Sequence, residues 1–196
     1  IENVWSVLIA TGYLSQRGRV VGKRRELVIP NREVRELFID LAEECFQESS
    51  RTDLPRMHRF CDAFPAGDAA TVEHMLQEYL WDSISVRDTA VRRNMKENFY
   101  HGMILGLLQS QEDWLIQSNA ELGQGYSDIS IATSDKTGII IEIKYAEDGR
   151  LEKACESALT QIEKKGYAAG LARKGMKHII RYGIAFWEKE CRVVRG

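Results

Sequence analysis

Three charged residues in an isoleucine-rich stretch have the types and spacing of a metal site. Asp128 lies in one run of alternating apolar and polar residues, and Glu142 and Lys144 lie in the next run. A short polar segment separates the runs, so residues 121–144 are predicted to form a β-hairpin. Because neighbouring side chains on a strand point to opposite faces, Glu142 and Lys144 share one face. Asp128 can meet them there from the other strand.

Two carboxylates and a lysine at one point could carry out metal-dependent chemistry on a phosphate group. Mg²⁺ takes hard oxygen ligands and usually needs only one or two protein carboxylates. Asp128 and Glu142 would supply them, with the backbone carbonyl of Ile143 as a third ligand. Lys144 would hold the phosphate or position the attacking water. The metal would lower the pKa of that water and neutralise charge on the phosphate.

An exposed sheet face with a cross-strand charge pair is the alternative explanation of these three residues. The isoleucines in both runs favour central strands that are covered by helices. Charges on such strands are costly to bury unless they are paired or bind a metal. The sequence therefore favours the metal site, and the exposed face stays open as the alternative.

A helix predicted over residues 90–111 precedes the hairpin and should be buried along its second half, which is apolar nearly all round. Glu97 and His101 share one stripe with Ile104 and Leu108, because residues three and four apart face the same way. Glu97 could approach the metal if this helix packs beneath the hairpin. Alternatively, Glu97 and His101 hydrogen-bond each other or a nearby loop.

The segment after the hairpin predicts a helix, a second helical piece and two strands. The helix follows a turn signal at residues 148–149 and closes at Lys165, with Gln161 at the edge of its apolar stripe. The second piece covers residues 167–174, and the strands lie at residues 178–187 and 190–194. The order helix, three strands, helix, strand, strand predicts an α/β fold. Its mixed central sheet would contain one parallel pair and carry helices on both faces.

Residues 1–89 predict a small N-terminal module of strands and helices without evident chemistry. A hairpin is expected within residues 1–29. Helices should follow Asn31 and Asp68, which are suited to cap them, and a further helix should cover residues 54–64. The chain thus divides into a module of residues 1–89 and an α/β domain of residues 90–196. Because it begins with Ile1 rather than Met, we expect it to be part of a longer protein.

Composition argues against several classes of protein. The net charge of −2 does not suit a protein that coats nucleic acid by bulk electrostatics, so any such contact must come from local patches. The longest apolar run is far short of the about 20 residues that span a bilayer, so no membrane is expected. The four cysteines lack paired spacing, which argues against a zinc or disulfide framework and fits a reducing cytoplasm.

The pattern Glu97…Asp128…Glu142-x-Lys144…Gln161 resembles the PD-(D/E)XK nuclease superfamily, whose restriction-endonuclease-like core has the order αβββαβ. The resemblance is closer still to the nuclease-like domain that follows an AAA-ATPase-like domain in bacterial and archaeal proteins. The matching segments span nearly the whole chain: TGYL (11–14), IPNREVRELF (29–38), ENFYHGMILGLL (97–108), GYSDI (125–129), IIIEIK (139–144), QIEKKGY (161–167) and YGIAF (182–186).

The resemblance implies roles for individual residues. Asp128, Glu142 and Lys144 would form the metal and catalytic set, with Glu97 as the glutamate of the preceding helix. Gln161 would lie near the active site, as the first residue of a Gln…Tyr helix signature.

Four further residues would support that set: His101, Glu121, Tyr126 and Tyr167. Tyr167 completes the Gln…Tyr signature, and Glu121 falls where this group tends to carry an acid. Tyr126 is a departure, because the group usually has an arginine two positions before the motif aspartate. An arginine would contact phosphate, whereas a tyrosine can stack or donate one hydrogen bond.

The implied function is hydrolysis of phosphodiester bonds by a nuclease that depends on Mg²⁺ or Mn²⁺, with DNA as the favoured substrate. The implied partners are nucleic acid and an ATPase-like domain of the same chain, and a second copy of the chain is a further candidate. Two alternatives stay open. One is a catalytically silent nucleic-acid or protein interaction module attached to the ATPase-like domain, which the acidic balance and Tyr126 favour. The other is a dimerisation domain built on the N-terminal helices.

Overall fold

The structure is a computed structural model that describes residues 8–9, 11–21, 24–28, 30–31, 33–34, 54–84, 96–109, 111 and 113–196. The chain divides into two compact units, residues 1–52 and residues 53–196. The predicted domain boundary at residues 89–90 lies outside the described residues and stays a prediction. Most of the helix predicted after Asn31 also lies outside them.

The first unit contains the antiparallel hairpin predicted within residues 1–29. Strand β1 (Ser15–Val21) pairs with strand β2 (Arg24–Val28). Beyond the hairpin, the Oδ1 atom of Asn31 accepts a hydrogen bond of 2.9 Å from the amide of Val34. This is the bond by which an asparagine caps the start of a helix, as the sequence predicts.

The second unit begins with three helices and continues with alternating strands and helices. The helices are α1 (Leu54–Ala66), α2 (Ala69–Ser83) and α3 (Lys96–Leu108). The following elements are β3 (Leu115–Leu122), β4 (Gly125–Ala132), β5 (Thr137–Tyr145), α4 (Leu151–Lys165), α5 (Tyr167–Arg173), β6 (His178–Trp187) and β7 (Glu190–Arg195). None of the described helices combines the length and apolar character needed to cross a bilayer.

Five strands form one mixed sheet in the order β3-β4-β5-β6-β7. Neighbouring strands are antiparallel except β5 and β6, which are parallel and are connected through α4 and α5. Such a parallel pair needs a long crossover, and helices supply it here. The predicted α/β fold class is confirmed, with its mixed sheet, single parallel pair and flanking helices. The arrangement is consistent with a restriction-endonuclease-like fold.

The two faces of β5 are covered by different helices, as the alternation of its residues predicts. Ile139, Ile141 and Ile143 are buried in a core that they share with α1, α2 and α3. Ile140 is buried in a second core with residues of α4 and α5. Glu142 follows Ile140 by two residues and therefore points to the same side. The fold thus carries a glutamate into the layer between the sheet and α4.

The backbone of α4 approaches the sheet closely at Gly183 of β6. A Cβ atom at this position would lie 2.5 Å from the carbonyl oxygen of Cys155. Because that oxygen belongs to the backbone of α4, it can move aside only if the helix moves as well. Glycine at this position therefore allows α4 to lie close to the sheet, and the same helix carries Gln161.

Replacing Gly183 with alanine is expected to lower the free energy of unfolding by about 1–3 kcal/mol, because the added methyl group overpacks this contact. Urea unfolding followed by circular dichroism measures the change. Gly106→Ala on α3 is the matched control, since its added Cβ meets no described atom within 4 Å. Alanine is also the better helix former, so the control should gain stability. If Gly183→Ala unfolded at the same urea concentration as the wild type, the close packing of α4 on β6 would be contradicted.

Candidate functional site

The carboxylate of Glu142 is buried, and only one of its two oxygens has hydrogen-bond partners. The side chain is 1% exposed. Its Oε1 atom accepts hydrogen bonds from Lys144 Nζ at 3.3 Å and from Gln161 Nε2. Its Oε2 atom is buried, and no described residue donates a hydrogen bond to it. Burying an ionised oxygen without a partner costs free energy, unless a bound cation or another ligand supplies the missing contact.

Asp128 is held beside Glu142 by the backbone of β5. Regular pairing of β4 with β5 runs from Ala132 opposite Gly138 to Ile129 opposite Ile141, so one further step brings Asp128 opposite Glu142. At this step the Oδ2 atom of Asp128 accepts a hydrogen bond of 2.7 Å from the amide of Ile143. This hydrogen bond fixes the side chain of Asp128, on β4, to the backbone of β5.

The pKa of Glu142 is raised to about 7. Burial is the largest cause, because it disfavours the charged form, and the carboxylate of Asp128 adds to the rise. Lys144 opposes it through its charge and its hydrogen bond. The lysine is itself partly buried, with 22% of its side chain exposed. Two acids and one base thus share a poorly hydrated site, and the net effect favours a neutral Glu142 below pH 7.

The donor set fits a divalent cation with hard-ligand chemistry. The unpartnered Oε2 atom of Glu142 and the carboxylate of Asp128 are oxygen ligands of the kind that Mg²⁺ and Mn²⁺ take. No group of three or more His, Cys, Asp or Glu residues in the described part of the chain is arranged to hold a metal. Mg²⁺ does not need such a group, because it commonly binds one or two carboxylates and fills its other positions with water and phosphate.

Helices α4 and α5 fix both strands of the site. Gln161 of α4 donates to Glu142 on β5. The hydroxyl of Tyr167, at the start of α5, donates a hydrogen bond of 2.7 Å to the carbonyl oxygen of Tyr126 on β4. Tyr167 is buried, and that burial raises the pKa of its hydroxyl, so it stays a neutral donor. The Gln…Tyr pair singled out in the sequence therefore anchors the strand of Asp128 and the strand of Glu142.

Glu97 of α3 contacts the C-terminal end of β5, where its Oε1 atom accepts a hydrogen bond of 3.2 Å from the amide of Tyr145. Lys96 reaches the same tyrosine, with its Nζ atom 3.0 Å from the hydroxyl and 4.3 Å from the ring centroid. In the described structure Glu97 does not form a three-acid cluster with Asp128 and Glu142. It contacts the strand end rather than the carboxylate pair, and a role at the metal stays a prediction.

His101 and Glu121 are placed along β3. The Nε2 atom of His101 lies 3.2 Å from Ser118 Oγ, and the side-chain amide of Asn119 donates a hydrogen bond to the same oxygen. Glu121 is exposed and lies opposite Tyr126 in the pairing of β3 with β4. These residues line the strand next to Asp128. Within the described residues, no hydrogen bond or ion pair joins either of them to Asp128 or Glu142.

The sequence prediction does not include Asn119 or Lys96, and both lie close to predicted site residues. Asn119 has a left-handed backbone with φ 49°. It falls between the pairs Ser118–Ile129 and Ala120–Ser127, at the position opposite Asp128. Asparagine tolerates this conformation better than most residues. An asparagine inside an otherwise regular strand is the one signal that the sequence offers.

The comparison with protein families agrees with this geometry. A family model described as PD-(D/E)XK nuclease superfamily matches residues 95–196, just over half of the chain. The match begins at α3 and ends with β7, so it covers all the described site residues. No curated protein matches the chain. No solved structure matches it either. With the mixed sheet and the Asp128, Glu142 and Lys144 positions inside the matched region, we conclude that the chain belongs to the PD-(D/E)XK nuclease superfamily.

Proposed function

We propose that this chain hydrolyses phosphodiester bonds with the help of Mg²⁺ or Mn²⁺ held by Asp128 and Glu142. The observation that carries the proposal is the buried Oε2 atom of Glu142, which has no hydrogen-bond partner among the described residues. Burying a carboxylate without satisfying it costs free energy, so the arrangement makes physical sense when a cation completes it. Membership of a nuclease superfamily supplies the type of reaction.

Each residue of the proposed site has a separate task. Asp128 and Glu142, with the carbonyl of Ile143, would hold the metal, which when bound activates water and stabilises negative charge on the phosphate. Lys144 donates toward the same site and would hold the phosphate as charge builds up in the transition state. Gln161 keeps Glu142 oriented through a hydrogen bond. Glu97 would steady the end of β5 through the amide of Tyr145.

The family resemblance of the sequence segments supports the proposed substrate and partners. We take DNA as the substrate, and an ATPase-like domain of the same chain as a partner, from the family resemblance of the sequence segments. A second copy of the chain and a cytoplasmic location belong to the same group of proposals. The unpaired spacing of the cysteines supports a reducing compartment.

Cleavage assays with the Lys144→Ala variant test the enzyme. Linear duplex, nicked and single-stranded DNA are incubated with Mg²⁺, Mn²⁺ or EDTA. We expect wild-type cleavage that EDTA abolishes, and a loss of at least about a hundredfold in the variant, because it lacks the donor at the developing charge. Lys177→Ala, an exposed lysine outside the site, should cleave like the wild type.

A second candidate function rests on Tyr126, which stands where the related domains usually carry an arginine. In this second function, the chain is a catalytically silent module that binds nucleic acid or protein for the ATPase-like domain. The same assays separate the two functions. If wild type and Lys144→Ala both bind DNA but are equally inactive under every metal condition, the proposed enzyme function is rejected in favour of this binding module.

A further inference from the structure

The C-terminal end of α4 carries positive charge on the side of the sheet that Glu142 faces. A cavity of about 300 Å³ between this helix end, the β3–β4 turn and α5 is lined by a basic cluster: Lys164, Lys165 and Arg173. All three residues are exposed, and none of them forms an ion pair with a described residue. Glu163 is the one acid in the cavity wall, and it is paired with an arginine of β6 at 3.5 Å. The cluster thus keeps a net positive charge.

The acids of α4 lie on the flank of the helix that faces away from the site. Glu152 and Glu163 are paired with arginines of β7 and β6, at 3.7 and 3.5 Å. Glu156 lies four residues after Glu152 and therefore on the same flank. Gln161 faces the other way and donates to the carboxylate of the site, and Lys165 follows it by four residues. A polyanion on the flank of Gln161 consequently meets none of the acids of α4.

Lys165 lies against the start of β4, close to the residues that support the site. A Cβ atom on Gly125 would lie 3.4 Å from the Cδ atom of Lys165 and 3.3 Å from the hydroxyl oxygen of Tyr167. Gln161 and Lys165 are one helical turn apart, about 6 Å along the helix axis. That rise is comparable to the spacing of neighbouring phosphates along one strand of nucleic acid. A phosphate that neighbours one held at Glu142 can therefore reach the basic cluster.

Backbone amides already satisfy carbonyl oxygens at the end of α4. The amide of Gly166 donates to the carbonyls of Ile162 and Glu163. The amide of Gln124 donates a 2.8 Å hydrogen bond to the carbonyl of Lys165. Lysines at the end of a helix commonly complement such carbonyls, but here the backbone does so. The ammonium groups of the basic cluster are left for a ligand.

The N-terminal end of α4 is electrically balanced. A cavity of about 500 Å³ beside the end of β5 is lined there by two cations and two acids: Arg150, Lys153, Glu147 and Asp148. Asp148 is ion-paired with Arg150. A polyanion gains no net attraction from a balanced set of charges. The two ends of the helix therefore differ in their suitability for a chain of phosphates.

We infer that the basic cluster binds the phosphodiester backbone of nucleic acid next to the phosphate at Asp128 and Glu142. The substrate then extends from the site toward the C-terminal end of α4 and not toward its start. This inference rests on the proposed function for the nature of the ligand. Because the whole chain has a net charge of −2, attraction of a polyanion has to come from a local cluster. Contacts to backbone phosphates make this binding sensitive to salt and insensitive to base sequence.

Binding measured without cleavage tests the cluster. Fluorescence anisotropy of a short labelled DNA duplex is recorded in EDTA at several salt concentrations. Lys165→Ala should weaken binding at least about threefold and lower the slope of log affinity against log salt by about 1. The double variant Lys164→Ala/Lys165→Ala should lower the slope by about 2. Lys153→Ala is the matched control, because it removes the same charge at an exposed position of the same helix, and its slope should equal that of the wild type.

Thermal unfolding of each variant separates binding from a role in the fold. Unfolding temperatures that fall in the lysine variants while their DNA affinity stays unchanged would assign the lysines to the helix end and overturn the inference. Equal loss of affinity in Lys165→Ala and Lys153→Ala would also overturn it, because binding would then follow net charge and not the cluster. Wild-type protein that binds no DNA would do the same.

The outcome for the cluster is independent of the outcome for the enzyme. Selective loss of DNA binding in Lys165→Ala, together with wild-type protein that never cleaves, would uphold the cluster and reject the nuclease. Metal-dependent cleavage by the wild type, together with unchanged DNA binding by the double variant, would do the reverse.

Discussion

Glu142→Gln is expected to abolish metal-dependent cleavage and to make the metal-free protein more stable at pH 7. Cleavage should fall at least about a thousandfold, because the amide is a poor ligand for Mg²⁺ and the loss of metal removes several kcal/mol of transition-state stabilisation. Stability should rise by about 1–3 kcal/mol. The amide keeps an oxygen for Lys144 and Gln161 and removes the buried negative charge.

Two measurements check this pair of effects. The first is the cleavage rate at saturating Mg²⁺, and the second is urea unfolding in EDTA at pH 7. Glu156→Gln is the matched control, because it makes the same change at an exposed position of α4 and should alter neither quantity. A Glu142→Gln protein that is inactive and also less stable than wild type in EDTA would show that the carboxylate is there for the fold. A gain in stability with loss of activity is the signature of a site built for a ligand.

Metal-free wild-type protein should lose stability as the pH rises from about 4.5 to about 7. The pKa of Glu142 is about 7 in the folded protein, against 4.5 for an unperturbed glutamate. Between these values the unfolded chain has released the proton that the folded protein still holds. The folded state therefore binds more protons, and the free energy of unfolding falls with increasing pH. The loss amounts to as much as about 3 kcal/mol over the window.

Other groups titrate in the same range, so the effect of Glu142 is obtained as a difference. Urea unfolding of wild type and Glu142→Gln is followed from pH 4.5 to pH 7.5 in EDTA. The stability of wild type minus that of the variant should fall across the window and level off above pH 7. A difference that stays constant over this range would show that Glu142 ionises normally. Added Mn²⁺ should restore wild type above pH 7 and leave the variant unchanged, because binding stabilises the folded state alone.

Much of the fold could be predicted because its determinants are local. Period-two alternation of isoleucine at residues 139–143 specifies a strand covered on both faces, and the two cores around β5 confirm it. Asp68 accepts a 3.0 Å hydrogen bond from the amide of Thr71 at the start of α2, as a capping residue should. The order of the elements then leaves few ways to arrange a sheet with one parallel pair.

The convergence of the site residues was predictable for the same reason. Alternation alone puts Glu142 and Lys144 on one face, and a hairpin of this register brings Asp128 opposite. Gln161 and Tyr167 could be named only through the family resemblance. Their contacts depend on how closely α4 approaches the sheet, which in turn depends on the absence of a side chain at Gly183.

The remaining features depend on tertiary detail that no sequence period records. The raised pKa of Glu142 comes from burial by α4, and the bond from the Ile143 amide to Asp128 depends on where regular pairing of β4 with β5 stops. Glu97 lies on the expected stripe of α3. The position of that helix along the sheet places Glu97 within hydrogen-bond distance of the Tyr145 amide. Helical periodicity fixes the face of a helix but not its position along the sheet.

The most direct test of the central claim is an anomalous diffraction map from a crystal soaked in Mn²⁺ at pH 7.5, where Glu142 is ionised. We predict one strong peak that contacts the Oε2 atom of Glu142 and a carboxylate oxygen of Asp128, at about 2.1 Å from each. The same soak of Glu142→Gln crystals should give no peak there. A wild-type map without density between these two carboxylates, in crystals whose dissolved protein cleaves DNA, would contradict the assignment of Asp128 and Glu142 as the metal site.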